Sequence, residues 1–83
     1  MTPDEQQERR EARYHGARCT AALRHFSFHQ GEANQWRALD GHSGHLTVLW
    51  QERADRHATD AYEQAVKAAH HARLAQQGRT EKP

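Results

Sequence analysis

The stretch His45–Gln77, HLTVLWQERADRHATDAYEQAVKAAHHARLAQQ, decides how the rest of the chain is read. Ala54, Ala58, Ala61, Ala65, Ala68, Ala72 and Ala75 recur there at spacings of three and four, so a helix over this range presents them as one seam. Glu52 with Arg56 and Glu63 with Lys67 form favourable i,i+4 pairs on the opposite side. Thr47 and Val48 are β-branched and give Leu46–Trp50 a local strand character, but no second strand is on offer to pair with it. Thr59 or Asp60 could cap a new helix after a break near Asp55–Thr59. The alanine spacing stays in phase across that point, which favours one continuous helix. At 1.5 Å per residue its length is about 50 Å. Gly78 is the expected stop, with 79–83 as a disordered tail after a single helical domain over 1–78.

Everything before this helix reads as material that folds back onto it. Thr2-Pro3-Asp4-Glu5 is a well-specified helix start. Thr2 caps, Pro3 occupies the first helical position where no amide hydrogen is needed, and Glu5 completes a capping box. The first helix is expected from about Pro3 to His29, with Gly31 as its C-terminal stop. Its apolar face runs through Ala12, His15, Cys19, Ala22, Leu23 and Phe26. Gly16 costs about 1 kcal/mol relative to alanine inside that helix. Residues 32–44 form the connection, with a short helix expected near Trp36 and a turn at Gly41-His42-Ser43-Gly44. Trp36 and Leu39 are expected to plug the end of the hairpin beside Phe26, Phe28 and Leu46. The fold class that results is all-α: a helical hairpin of two long helices with a short connecting helix.

Composition limits how such a chain can be stabilised. Only nine of 83 residues are Leu, Val or Phe, and isoleucine is absent. That is well below the roughly 20 % at which disorder becomes a serious alternative, yet the formal net charge is only +1. A folded but thin-cored helical protein fits both facts. A domain of this size buries only about 60 % of its unfolded surface, and self-association is the direct way to bury more. The first helix is expected to be a turn or two shorter than the second. The far end of the alanine seam is then left for the long helix of a second copy, with Trp50, Ala54, Ala58, Ala61, Tyr62, Ala65, Val66 and Ala68 as interaction residues in a homodimer.

Charge and cysteine usage narrow the function classes. Twelve Lys and Arg stand against eleven Asp and Glu, with the signs alternating along the chain, which argues against a dedicated nucleic-acid binder. Arg9, Arg10 and Arg13 are the one basic cluster that could grip phosphates, diluted by Glu8 and Glu11. Cys19 stands alone, as befits a reducing compartment. The N-terminus has neither the basic nor the apolar region of a secretion signal, and no run is long enough to span a bilayer. The expected location is cytoplasmic.

The eight histidines are the remaining chemical signal. Protonating all of them moves the formal charge from +1 to +9. His25 and His29 are four apart on one helix face, and His42 and His45 lie where the long helix begins. A hairpin brings both pairs to the same end, where they could supply the four ligands of a zinc site, with Glu32 or Asp40 as substitutes. His57 falls close to the seam, whereas His70 and His71 read as solvated. No Gly-rich phosphate loop, nucleophile elbow or spaced carboxylate pair points to an enzyme, and a cysteine at a core position such as Cys19 is most often a small buried hydrophobe. The expected function is therefore non-enzymatic. It is a small helical interaction or regulatory protein, with a metal-binding module and an accessory nucleic-acid binder as its rivals.

Overall fold

The computed structural model describes residues 2–39 and 44–80. Two α-helices, α1 (Pro3–Ala38) and α2 (Gly44–Thr80), pack against each other along their whole length. They run antiparallel: Glu8 meets His71, His15 meets Gln64, and Gln30 meets Gln51. The result is a rod with Cα extents of 66 × 13 × 13 Å. No described helix is long and apolar enough to cross a membrane.

The start of α1 follows its sequence. Thr2 Oγ1 accepts from the Glu5 amide at 3.1 Å, and the Thr2 carbonyl accepts from the Gln6 amide at 3.0 Å. The cap thus satisfies one orphan donor of the first turn, the Glu5 amide, and the Gln6 amide makes the first intrahelical bond. The end of α1 does not follow its sequence. The helix passes through Gly31 and closes at Leu39, whose amide donates to the carbonyls of Gln35 and Trp36 at 3.3 and 3.2 Å. The separate connecting helix expected near Trp36 is thus the last two turns of α1. Stopping at Gly31 would expose Ala33, which is completely buried, and Trp36, which is half-buried. Continuing costs about 1 kcal/mol for one glycine in a helix. The turn residues Gly41, His42 and Ser43, and the tail beyond Thr80, lie outside the described residues.

α2 is continuous through Asp55–Thr59, where the Thr59 hydroxyl donates to the Asp55 carbonyl at 3.1 Å instead of capping a new helix. It also extends past Gly78.

The residues that face the partner helix alternate at spacings of four and three. In α1 they are Glu5, Glu8, Ala12, His15, Cys19, Ala22, Phe26, His29, Ala33 and Trp36; in α2 they are Thr47, Trp50, Ala54, His57, Ala61, Gln64, Ala68, His71 and Ala75. Every one is buried or half-buried. That is a seven-residue repeat, the pattern of a left-handed antiparallel coiled coil. The fully enclosed apolar residues are all alanine: Ala22, Ala33, Ala54, Ala61 and Ala75. Small side chains let the two helices approach closely, and the large ones are left outside. Leu39 and Phe28 are 57 % and 59 % exposed, so the expected apolar plug at the turn is only partly closed.

The two helices are nearly equal, 36 and 37 residues, which overturns the expectation that α1 falls short. Ala75, at the far end of the seam, is covered by α1 rather than left for a second copy.

Candidate functional site

Histidines occupy four of the seam positions and gather in two clusters. The cluster nearer the turn holds His25, His29 and His57. His57 stacks on His25 with ring centroids 5.0 Å apart and meets His29 edge-on at 4.7 Å. Trp50 closes the other side of His29 at 5.3 Å, and Phe28 packs edge-on against Trp50 at 6.0 Å. His29 Nδ1 is buried without a hydrogen-bond partner. Burial first, then the neighbouring His57, Arg53 and His25, holds this imidazole below its usual value of 6.5. Of the zinc set expected from sequence, His25 and His29 are thus brought together with His57. His45 is exposed in the first turn of α2, and His42 lies outside the described residues.

The second cluster lies toward the free ends. His15 Nδ1 is 2.6 Å from Gln64 Oε1, and Gln64 is itself buried, with its amide nitrogen toward Asp60 at 3.5 Å. His15 Nε2 faces Glu11 Oε2 at 3.5 Å. His71 Nδ1 meets Glu8 Oε2 at 2.5 Å, and the His15 and His71 rings lie parallel, 5.5 Å apart with 6° between their planes. One ligand atom each from Glu11, His15 and His71 lies within 4.8 Å of the others. His71, expected to be solvated, is instead half-buried and bonded across the helix interface. The signal for it was available in the spacing. His57, Gln64 and His71 repeat every seven residues, interleaved with Ala54, Ala61, Ala68 and Ala75.

The arginines Arg9, Arg10 and Arg13 line a groove of about 660 Å³ whose other wall carries Ala72 and Ala75. Arg9 is 3.5 Å from Glu5, with its Nε buried and without a hydrogen-bond partner. Arg10 and Arg13 are exposed.

The expected interaction residues separate into two groups. Ala54 and Ala61 are buried against α1, and Ala58, Ala68 and Trp50 are half-buried. Tyr62, Ala65 and Val66 are exposed, with Tyr62 at 72 %. Gln30 and Gln51 exchange two amide hydrogen bonds at 3.1 and 2.8 Å, which fixes the residues that share one edge of the rod. Stepping by sevens from that pair places Leu23, Gly16 and Arg9 in a row on α1 and Ala58, Ala65 and Ala72 in a row on α2. This face carries small residues at Gly16, Ala58, Ala65 and Ala72, is flanked by Tyr62, and ends in the arginine groove. Glu11 and His25 belong to the opposite face by the same spacing.

No family model, curated protein or solved structure matches the chain.

Proposed function

We propose that this chain is a non-enzymatic helical interaction module acting as a homodimer, in which two hairpins pack broad face to broad face as a four-helix bundle in a reducing compartment. The observation that carries this reading is where the large apolar residues sit. Leu23, Tyr62 and Val66 are 51 %, 72 % and 48 % exposed, while the largest fully enclosed apolar side chains are alanines. The surface area points the same way. The chain exposes 6120 Å², whereas a compact monomer of 9.6 kDa exposes about 5,100 Å². The excess is comparable to the roughly 800 Å² per partner buried in a standard interface.

The occupied seam changes which residues do the work. Ala54 and Ala61 hold α1 to α2, so the partner-facing set is Leu23, Ala58, Tyr62, Ala65 and Val66, with Gly16 opposite Ala65 in the register. A Cβ at Gly16 would meet nothing within 4 Å, so its small size is not needed by the hairpin itself. It leaves room on the outer face for a second backbone.

Sedimentation velocity over a range of concentrations tests the proposal. The parent should sediment as a dimer that dissociates on dilution. Leu23→Glu with Tyr62→Glu should give a monomer of unchanged helicity. A parent that stays monomeric at the highest concentration removes the reading.

A further inference from the structure

We propose that Glu11, His15 and His71 form a binding site for a divalent transition ion of the zinc class, joining the two helices near their free ends. The inference is independent of the dimer, because this cluster opens on the face opposite the one assigned to self-association.

The argument rests on where the protons must be. Gln64 turns its NH₂ toward the Asp60 carboxylate, so the atom it offers His15 is its carbonyl oxygen. A carbonyl oxygen only accepts; His15 Nδ1 must therefore carry a hydrogen and donate it. In the neutral ring this leaves a lone pair on Nε2, and that atom faces a carboxylate oxygen of Glu11 at 3.5 Å. Two acceptors directed at each other across a half-buried gap repel unless a cation lies between them, either a proton on Nε2 or a metal ion. The same logic holds for His71. Its Nδ1 meets the Glu8 carboxylate, which also only accepts when ionised, so its lone pair is on Nε2.

When neutral, both rings are thus held in the tautomer that ligates through Nε2, each by a hydrogen bond on its other nitrogen. Metal-binding histidines show this arrangement almost without exception, with a carboxylate or carbonyl on the far nitrogen fixing the ring. Spacing agrees for one of the three pairs. Ligands of a tetrahedral zinc at 2.0–2.1 Å lie roughly 3.3–3.5 Å from one another. The Glu11–His15 pair is at 3.5 Å, and the three ligand atoms lie within 4.8 Å of one another, so His71, whose ring lies parallel to that of His15, must turn to close on a bound ion. Two imidazoles and a carboxylate are borderline-to-hard donors, a set that suits zinc and its first-row neighbours over calcium or magnesium. Glu11 and His15 come from α1 and His71 from α2, so a bound ion adds a cross-link between helices whose seam there is otherwise alanine, glutamine and glutamate.

The test is native mass spectrometry and zinc titration calorimetry on the full, untagged chain after treatment with a chelator. One zinc should bind per chain and raise the melting temperature. His15→Ala and His71→Ala should each abolish binding, while His25→Ala and His45→Ala leave it intact. Glu8→Gln, which keeps the shape but weakens the hydrogen bond to His71, should lower affinity about 10–100-fold. Cobalt in place of zinc should show the absorption of a tetrahedral ion, lost in His71→Ala. Helicity of the metal-free variants, read by circular dichroism, separates a lost ligand from a lost fold. Absence of binding to the parent, or zinc retained by a folded His15→Ala, His71→Ala double variant, would overturn the site. The same spectra report the oligomeric state, so the failure of this site and the failure of the dimer are read apart.

Discussion

His29 shows how a single residue can make a thin core sensitive to acid. A coiled-coil seam position normally holds an aliphatic side chain; here it holds an imidazole whose Nδ1 is buried without a hydrogen-bond partner. Charging it requires desolvating a cation beside Arg53, with His25 and His57 in ring contact, and its pKa is accordingly depressed below 6.5. The sign follows directly. A group whose folded-state pKa is lowered binds fewer protons folded than unfolded, so the stability it confers is complete above the unfolded value of 6.5 and is lost as pH falls through the folded value. Thermal melts between about pH 8 and pH 5 should therefore show a falling melting temperature. Replacing His29 with leucine should make that fall shallower. The general rise in net charge on acidification acts on both proteins, so the difference between the two curves isolates His29. Equal slopes would mean that the imidazole titrates freely.

At the scale of the element, α1 is the informative case. Gly31 carries the usual sequence signature of a helix stop, yet the helix runs through it because the next seven residues keep the seam in phase. Gly31 is exposed, and a Cβ there would meet nothing within 4 Å. Gly31→Ala should therefore stabilise the protein by about 0.5–1 kcal/mol, the helical preference of alanine over glycine, and raise the melting temperature by several degrees. A loss of stability would place a helix end at Gly31. This is also where the sequence was least legible. Local stop signals outweigh the burial of Ala33 and Trp36, because that burial depends on α2, far along the chain. The hairpin, its helical start at Thr2 and the unbroken α2 were all legible, since each rests on local capping or periodicity. The free-end cluster was not. His71 alone reads as one polar residue among many, and its position becomes apparent only when Gln64 and His57 are counted with it at the same interval as the alanines. The alanine row is in fact two rows. Spacings of three and four gather Ala58, Ala65 and Ala72 together with Ala54, Ala61 and Ala75, and only the seven-residue interval divides the first set, outside, from the second, inside.

For the whole molecule the balance of forces is set by that division. An alanine seam brings the backbones close but buries little area per residue, and at about 25 cal/mol per Å² each position contributes modestly. Such a rod depends on the sum of many small contacts, on the paired glutamines and histidines that cross it, and, as proposed here, on a second copy over its broad face. Two single substitutions four residues apart separate these contributions. Ala61 is 4 % exposed and packed against α1; a glutamate there buries an unpaired charge at a cost of about 3–5 kcal/mol. Against the roughly 5–15 kcal/mol that holds a typical domain folded, Ala61→Glu should leave a largely unfolded chain at 37 °C, seen as lost helicity by circular dichroism. Ala65 lies one helical turn further on and is exposed. Ala65→Glu should keep the helicity of the parent while converting the dimer to a monomer, seen as a halved mass in sedimentation. Because a dimer is stabilised by mass action, the parent's melting temperature should also rise with protein concentration, and that dependence should vanish in Ala65→Glu. If both substitutions instead leave helicity intact and only the mass changes, Ala61 faces a second chain rather than α1, and the hairpin opens into an exchanged pair of long helices.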